Sequence, residues 1–315
     1  MVSSITRKFN KVAVLMGGPS SERAISLKSG TAVAKGLRLA GYTVTEVDIH
    51  DRTLHLPPSI EAAFVALHGE FGEDGTVQNL LQSQGIPYTG SNPDSSRASF
   101  DKRLSKAIFA KGGIPTADYE ILTTPTHRSL PLPVVVKPPC QGSTIGIFKV
   151  SQESEWAAAF AESLRFDGEV IVETFIPGRE LTVGIVGDTA LPVIEILAPE
   201  GWYDFDAKYT KGHSQHLCPA PLDGATETRC KAIALQTFKA LGCRGFGRVD
   251  FRLDPQGNLF VLELNNIPGF TETSLLPEAA QAAGIEFPEL CQRIMDMAAL
   301  CCCNPFEMDN QPYVV

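Results

Sequence analysis

Asp250, Glu263 and Asn265 are the side chains in this sequence whose types and spacing best suit chemistry. Two carboxylates and an amide form a hard, all-oxygen donor set. That set suits Mg²⁺ with a bound phosphate and lacks the His and Cys ligands of a zinc site. Arg248 stands two residues before Asp250, so on an extended chain it shares that face and can hold a developing negative charge. Acidic residues at solvated strand ends give the same spacing. The continuation Asn265-Asn-Ile-Pro-Gly-Phe-Thr-Glu-Thr-Ser tips the balance towards a site. Its Pro-Gly turn brings backbone N–H groups near the donor set, and the hydroxyls of Thr271, Thr273 and Ser274 follow, a combination suited to small anions.

These residues need a hairpin to bring them together. Phe246 to Leu253 alternates large apolar with small or polar residues, Asp254-Pro-Gln-Gly supplies turn chemistry, and Leu259 to Leu264 resumes the strand pattern. Pairing of the two strands puts Asp250, Glu263 and Asn265 at one end of a sheet. Further upstream, Lys11-Val-Ala-Val-Leu-Met reads as a buried strand, and Gly17-Gly-Pro-Ser-Ser-Glu opens a helix from Arg23 to about Ala40. That is a Rossmann-like unit without the G-x-G-x-x-G dinucleotide fingerprint. Glu22, in the first turn, either complements the helix dipole or holds a ligand's ammonium. Thr43 to Ile49 and Ala62 to Leu67 read as the next strands. The second ends at His68-Gly-Glu-Phe-Gly-Glu-Asp-Gly, where open α/β sheets place ligands, so His68 is a candidate rather than plain surface.

The middle of the chain carries two lysines in unusual settings. A helix over Phe100 to Lys111 bears Asp101 and Lys102, and Pro133-Val-Val-Val-Lys ends an apolar strand on Lys137, a charge that calls for a partner. Cys140-Gln-Gly-Ser-Thr-Ile-Gly then forms a glycine-flanked hairpin tip able to fold over phosphates through its N–H groups. It is not a Walker A loop, since no Gly-Lys-Ser/Thr opens a helix there. An amphipathic helix over 152–166, a strand from Glu169 to Thr174 and a strand from Gly178 onward follow. The stretch 203–213 is aromatic and charged with little apolar periodicity, which fits a lid or a solvated crossover. Cys230 to Leu241, Leu276 to Gly284 and Phe287 to Leu300 read as helices.

With 315 residues the chain exceeds one typical core, and 43% hydrophobic against 20% charged content is ordinary for a soluble globular protein. A net charge of −9 argues against a nucleic-acid partner. No apolar run reaches the ~18–20 residues of a membrane span, and no secretory segment opens the chain. The eight cysteines show no disulfide framework, which suggests a reducing, cytoplasmic setting. The Cys301-Cys-Cys run has no second Cys/His pair at finger spacing.

Taken together, the strings Gly17-Gly-Pro-Ser-Ser-Glu-Arg-Ala-Ile-Ser, Ala66-Leu-His-Gly, Gly72-Glu-Asp-Gly-Thr, Pro87-Tyr-Thr-Gly-Ser, Asp101-Lys and Lys137-Pro resemble the bacterial D-alanine–D-alanine ligases of the ATP-grasp superfamily. The likeness continues through Gly142-Ser-Thr-Ile-Gly, Tyr203-Asp-Phe-Asp-Ala-Lys-Tyr, Cys218-Pro-Ala, Gly247-Arg-Val-Asp, Glu263-Leu-Asn and Pro268-Gly-Phe-Thr. It runs from Lys11 to about Leu300. Each string is weak, but their order and spacing together are specific.

The resemblance implies an α/β (α+β) fold in three parts: a Rossmann-like N-terminal domain over 1–98, a central ATP-grasp subdomain over 99–180 and a C-terminal mixed-sheet catalytic domain over 181–315. It implies ligation of two D-alanines with ATP through an acyl phosphate, for peptidoglycan synthesis. Two Mg²⁺ ions (or Mn²⁺) would sit on Asp250, Glu263 and Asn265, with Lys102 and Lys137 on phosphate oxygens. Glu173, Thr174, Phe175 and Ile176 would form the adenine hinge, and Glu180 would take the ribose. Glu22 would bind the first substrate's ammonium beside His68, while Arg248 and the Gly269 N–H would stabilise the tetrahedral oxyanion. Ser274 and the N–H of Leu275 would take the second carboxylate. Lys208 and Tyr209 would ride on the lid, with Tyr209 meeting Ser143 and Glu22 to exclude water. Family likeness also implies a homodimer.

Asn266 departs from the pattern. It stands where the resemblance implies Thr, beside a metal ligand, so altered hydrogen bonding behind the metal is expected. A D-alanine–D-serine or D-alanine–D-lactate ligase is the neighbouring alternative, which Tyr209 disfavours for the depsipeptide case. A non-catalytic nucleotide-binding protein of the same fold is the alternative from another class. It should have lost Arg248 or the metal ligands, and all are present.

Overall fold

The computed structural model describes residues 7–142, 145–197, 215–271 and 273–300. Within them the chain lays down three sheets in sequence order. The first is parallel, in the order β2-β1-β3, from β1 (Lys11–Gly17), β2 (Thr43–Ile49) and β3 (Ala62–Val65). Its central strand is buried along Val12 to Met16, which accounts for an apolar run without alternation. Helix α1 (Arg23–Leu39) connects β1 to β2, and α2 (Thr76–Ser83) follows the loop after β3. The whole unit is the strand–glycine turn–helix arrangement expected from the opening residues.

The helix expected over Phe100 to Lys111 is present from Lys102, and a second helix, not anticipated from the sequence, precedes it. Helix α3 (Pro93–Phe100) ends and α4 (Lys102–Lys111) begins at Asp101, whose extended backbone (φ −85, ψ 107) breaks the helical run. Its carboxylate accepts from the N–H of Arg103 at 2.9 Å, an N-cap arrangement that Asp favours over the helix interior. The cap also makes Lys102 the first residue of α4.

The second sheet, antiparallel in the order β4-β7-β5-β6, is built from β4 (Tyr119–Leu122), β5 (Val134–Lys137), β6 (Phe148–Val150) and β7 (Val170–Thr174). Helix α5 (Glu153–Asp167) covers it, and a capping box between Gln152 and Glu155 sets its start. Trp156 and Phe160 press from α5 onto Val134, Val136, Val150, Val170 and Val172.

The third sheet runs β10-β9-β8-β11-β12, all antiparallel. Its strands are β8 (Arg179–Val186), β9 (Thr189–Leu197), β10 (Gln215–Leu217), β11 (Phe246–Leu253) and β12 (Leu259–Asn265). Helix α6 (Gly224–Ala240) starts six residues before the expected Cys230, because the Asp223 carboxylate caps it through the N–H groups of Ala225 and Thr226. Helices α7 (Leu275–Ala282) and α8 (Phe287–Asp296) close the described chain. Among the described residues no helix is long and apolar enough to cross a membrane.

Hydrophobic packing crosses the expected domain boundaries. Phe109 of α4 and Ala98 of α3 are buried with Val183, Val249 and Phe251 of the third sheet. Residues of α1 and β1 share a core with α7, α8 and β9. Phe270 sits at its centre, its ring 5.4 Å from Phe64, 5.6 Å from Phe246 and 6.4 Å from Phe287. It joins strands of the first and third sheets directly beside Gly269. Phe270→Ala is therefore expected to destabilise the chain by about 3–5 kcal/mol, read as a lowered urea midpoint. A midpoint within error of the wild type would show that the shared core does not hold the two units together.

Candidate active site

The hairpin of β11 and β12 carries four charged side chains in ion pairs, Arg248, Asp250, Arg252 and Glu263. Asp250 pairs with Glu263 and Arg248 with Asn265 across the antiparallel ladder. The register slips between Asp250 and Phe251, since Phe251 pairs with Val261 and leaves Leu262 as the extra residue. Strict alternation would send Leu262 and Glu263 to opposite faces. At this irregularity both line the same cleft. Arg248 grips Asp250 with two parallel hydrogen bonds, Nε to Oδ1 at 2.8 Å and the guanidinium nitrogen to Oδ2 at 2.7 Å. Thr182 of β8 donates to the same Oδ1 at 2.6 Å.

Two clefts flank this hairpin. One is a polar cavity of about 250 Å³ lined by Glu22, His68, Lys102, Gly142, Arg248, Glu263, Asn265, Gly269, Ser274 and Leu275. It collects residues from the N-terminus of α1, the end of β3, the start of α4, β12 and the start of α7. The other opens between the second and third sheets and is lined by Lys137, Glu173, Thr174, Phe175, Ile176, Glu180 and Asp250. Val135, Ile147 and Leu262 give it apolar walls. Glu263 lines both. Every described residue expected at the site thus borders one cleft or the other. Ser143, Lys208, Tyr209, the 203–213 stretch and the Cys301-Cys-Cys run lie outside the described residues.

In the polar cavity, His68 is 4% exposed and both ring nitrogens are engaged. Nδ1 lies 3.0 Å from the Ile267 carbonyl, which can only accept, so the proton sits on Nδ1. Nε2 then accepts from Ser29 Oγ at 3.0 Å, and Ser29 in turn accepts from the N–H of Phe270 at 3.2 Å. This chain ties α1 and the end of β3 to the Pro268-Gly269 turn. Nothing in the sequence singles out Ser29, because a serine in mid-helix carries no local signal. Glu73 lies 3.6 Å from His68 Nδ1. Burial pushes its carboxyl up, His68 opposes that and the Glu22 carboxylate adds to it.

Lys102 bridges the cavity's walls. Its ammonium donates to the Gln141 carbonyl at 2.7 Å and lies 3.3 Å from Glu263 Oε2. The glycine-flanked hairpin between β5 and β6 is thereby joined to β12. At the far wall, Ser274 Oγ accepts from the N–H of Thr271 at 2.9 Å and stands at the N-terminus of α7. A Cβ on Gly269 would come within 2.8 Å of that oxygen, so any other residue there would have to displace the Ser274 hydroxyl.

In the second cleft, Lys137 finds the partner its position called for: its ammonium lies 2.6 Å from Glu173 Oε1. Lys106 of α4, not anticipated from the sequence, approaches the same oxygen at 3.0 Å. Burial alone pushes the Glu173 carboxyl up, but the two ammonium groups outweigh it and hold it below the usual carboxylate range. Burial lowers Lys106 to about 8, with Glu173 opposing the fall. Arg252, equally unmarked in the sequence, reaches Glu180 Oε2 at 3.1 Å and the carbonyls of Ile176 and Gly178 at 3.0 Å each. It fixes the segment that links the second sheet to the third.

Asn266 does not approach the donor set through a hydrogen bond to it. Its side chain is buried and donates to the Glu73 carbonyl at 3.0 Å, fastening the 68–75 loop to the end of β12. Asn266→Ala is expected to lower stability by about 1–3 kcal/mol, seen in chemical unfolding, while leaving the Mg²⁺ concentration for half-maximal turnover unchanged. A shifted Mg²⁺ requirement without loss of stability would assign it to the metal instead. Cys140, Cys218, Cys230, Cys243 and Cys291 are free thiols. Burial pushes Cys218 up to about 11 and Cys243 up to about 12, so neither is poised as a thiolate nucleophile.

A slot between two antiparallel sheets, backed by a Rossmann-like unit, defines the ATP-grasp class of fold. Comparison with known proteins agrees. Residues 108–296 match the family model described as D-ala D-ala ligase C-terminus, and residues 50–91 match D-ala D-ala ligase N-terminus. The D-alanine–D-alanine ligase of Methylacidiphilum infernorum is 45% identical, with 92% of this chain and 95% of that protein covered. That of Bordetella parapertussis is 44% identical, covering 97% and 100%. The crystal structure of D-alanine–D-alanine ligase from Bacillus anthracis superposes with a TM-score of 0.80 at 34% identity, over 92% of this chain and 97% of that one. The chain belongs to the D-alanine–D-alanine ligase family.

Proposed function

We propose that the protein joins two D-alanines into D-alanyl-D-alanine, with ATP converted to ADP and phosphate through an acyl phosphate on the first D-alanine. The observation that carries this reading is the position of Glu263, one carboxylate bordering both clefts. Phosphoryl transfer from a nucleotide in one to a carboxylate in the other must pass that residue. The apolar walls of the slot between the sheets suit adenine, with the backbone of Glu173 to Ile176 along its edge and Glu180 near the ribose. Lys137 and Lys102 hold phosphate oxygens as point charges.

Asp250, Glu263 and Asn265 fit Mg²⁺ by donor chemistry, since all three offer hard oxygens and the two carboxylates face each other across one ladder. They would hold two ions (or Mn²⁺), whose chemistry is to neutralise the β- and γ-phosphate charge. In the polar cavity, Glu22 takes the first substrate's ammonium beside the His68–Ser29 pair. Arg248 and the N–H of Gly269 face the developing oxyanion. Ser274 and the N–H of Leu275, at a helix N-terminus, receive the second carboxylate. Ser143, Lys208 and Tyr209 complete the site in this reading, closing it against water. The reading also includes a homodimer, checked by light scattering, and a cytoplasmic role in peptidoglycan precursor synthesis and cell shape.

Phosphate release measured with ATP and a panel of D-amino and D-hydroxy acids tests the proposal. Release should require D-alanine, and D-alanyl-D-alanine should be the dominant product. Dominant release with D-serine or D-lactate as second substrate would assign the chain to a sister ligase. Nucleotide binding without release under any condition would leave only the fold.

A further inference from the structure

Lys106 lines neither cleft, yet it is the most deeply buried cation described, its side chain 1% exposed. It donates to Thr116 Oγ1 at 2.7 Å, and that hydroxyl donates to the carbonyl of Val261 in β12 at 2.8 Å. The ring of Tyr119 lies 5.2 Å from its ammonium. An ammonium so far from water costs several kcal/mol unless its charge is used, and packing alone would be served as well by an apolar side chain of the same length. The charge meets a single carboxylate oxygen, Glu173 Oε1, at 3.0 Å, the same oxygen that Lys137 approaches to 2.6 Å.

The consequence follows from counting charge. Lys137, Lys106 and Glu173 together carry one net positive charge. Without Lys106, Glu173 and Lys137 would neutralise each other, and Lys137 would present no net charge to an anion in the cleft it lines. We propose that Lys106 is a positioning residue that takes up part of the Glu173 charge from behind, leaving Lys137 a net cation for the nucleotide's phosphates. This rests on the nucleotide reading of the second cleft. It assigns Glu173 a side-chain role distinct from its backbone's place beside the base, as the shared anion that fixes where Lys137 stands. The hydrogen bond to Thr116 sets the register of the relay, because it ties Lys106 to the strand that carries Glu263.

Equilibrium binding of ADP to the full-length chain separates the possibilities. Lys106→Met should weaken ADP about tenfold, the scale of one screened charge–phosphate contact. Glu173→Gln removes the anion that Lys106 offsets, so adding it to Lys106→Met returns the count to one net positive charge and should recover ADP affinity to within about threefold of the wild type. The double variant leaves no buried carboxylate short of a cation, so its comparison with the wild type stands even if Lys106→Met by itself folds poorly. A purely structural lysine would give no recovery, since the damage of its loss would remain in the double variant. Wild-type affinity in Lys106→Met, or an affinity about tenfold below the wild type in the double variant, would overturn the inference. A wild-type chain that fails to bind ADP would instead reject the nucleotide reading, and this inference with it.

Discussion

Glu263→Gln should lower kcat by about 10²–10³-fold while leaving the folded state within about 1 kcal/mol of the wild type. The substitution keeps volume and removes one charge from the wall shared by both clefts. Its effect on stability should be small because the side chain is 29% exposed and Lys102, 3.3 Å away, keeps its hydrogen bond to the Gln141 carbonyl. Steady-state phosphate release at saturating ATP and D-alanine gives kcat, and urea unfolding gives stability. Turnover like the wild type at ordinary Mg²⁺ would remove Glu263 from the donor set. A large loss of stability would make it a structural ion pair instead.

Arg248→Lys is the second variant with a large expected effect. Lysine keeps the charge but cannot reproduce the fork that holds both oxygens of Asp250 at 2.8 and 2.7 Å. Asp250 should stay in place, because Thr182 still donates to it at 2.6 Å. The loss should therefore appear where Arg248 faces the polar cavity. We expect kcat to fall about 10²-fold or more, with the KM for ATP within about threefold of the wild type. Removing the charge altogether is less informative, since it strands a buried carboxylate at a cost of about 3–5 kcal/mol. A raised KM for ATP with kcat intact would mean that Arg248 serves mainly to hold Asp250 in the nucleotide cleft.

The two variants probe the same hairpin from opposite sides. Glu263 borders both clefts, whereas Arg248 lines the polar one and Asp250 the one between the second and third sheets. If both behave as expected, the hairpin is the element through which the reaction passes, and the surrounding sheets serve to hold its two faces in different environments.

Much of this architecture is written in local chemistry. The alternation from Phe246 to Leu253, the Asp254-Pro-Gln-Gly turn and the resumed strand predict the hairpin, because strand period and turn preference depend on residues only a few positions apart. The same holds for β1, the glycine turn and α1. Even Lys137 declares its need for a partner, since an ammonium ending an apolar strand is too costly to leave alone. The helix starts at Asp101 and Asp223 are local as well, set by capping carboxylates. Apolar periodicity alone runs one helix through Asp101 and begins another too late.

What tertiary structure alone decided is who meets whom. Glu173, the partner of Lys137, comes from the neighbouring strand of an antiparallel sheet, and Lys106 reaches the same oxygen from a helix. The slip in register beside Asp250 turns both Leu262 and Glu263 into one cleft, against the alternation that sequence implies. Ser29 and His68 join the Pro268-Gly269 turn through bonds spanning 199 to 241 residues. Asn266, which its neighbours in sequence would attach to the metal set, is fastened to the 68–75 loop instead. Residue types and local periods follow from each residue and its near neighbours. Charge pairing, cleft walls and shared cores depend on contacts between remote segments, and many pairings of the same residues satisfy the same local pattern.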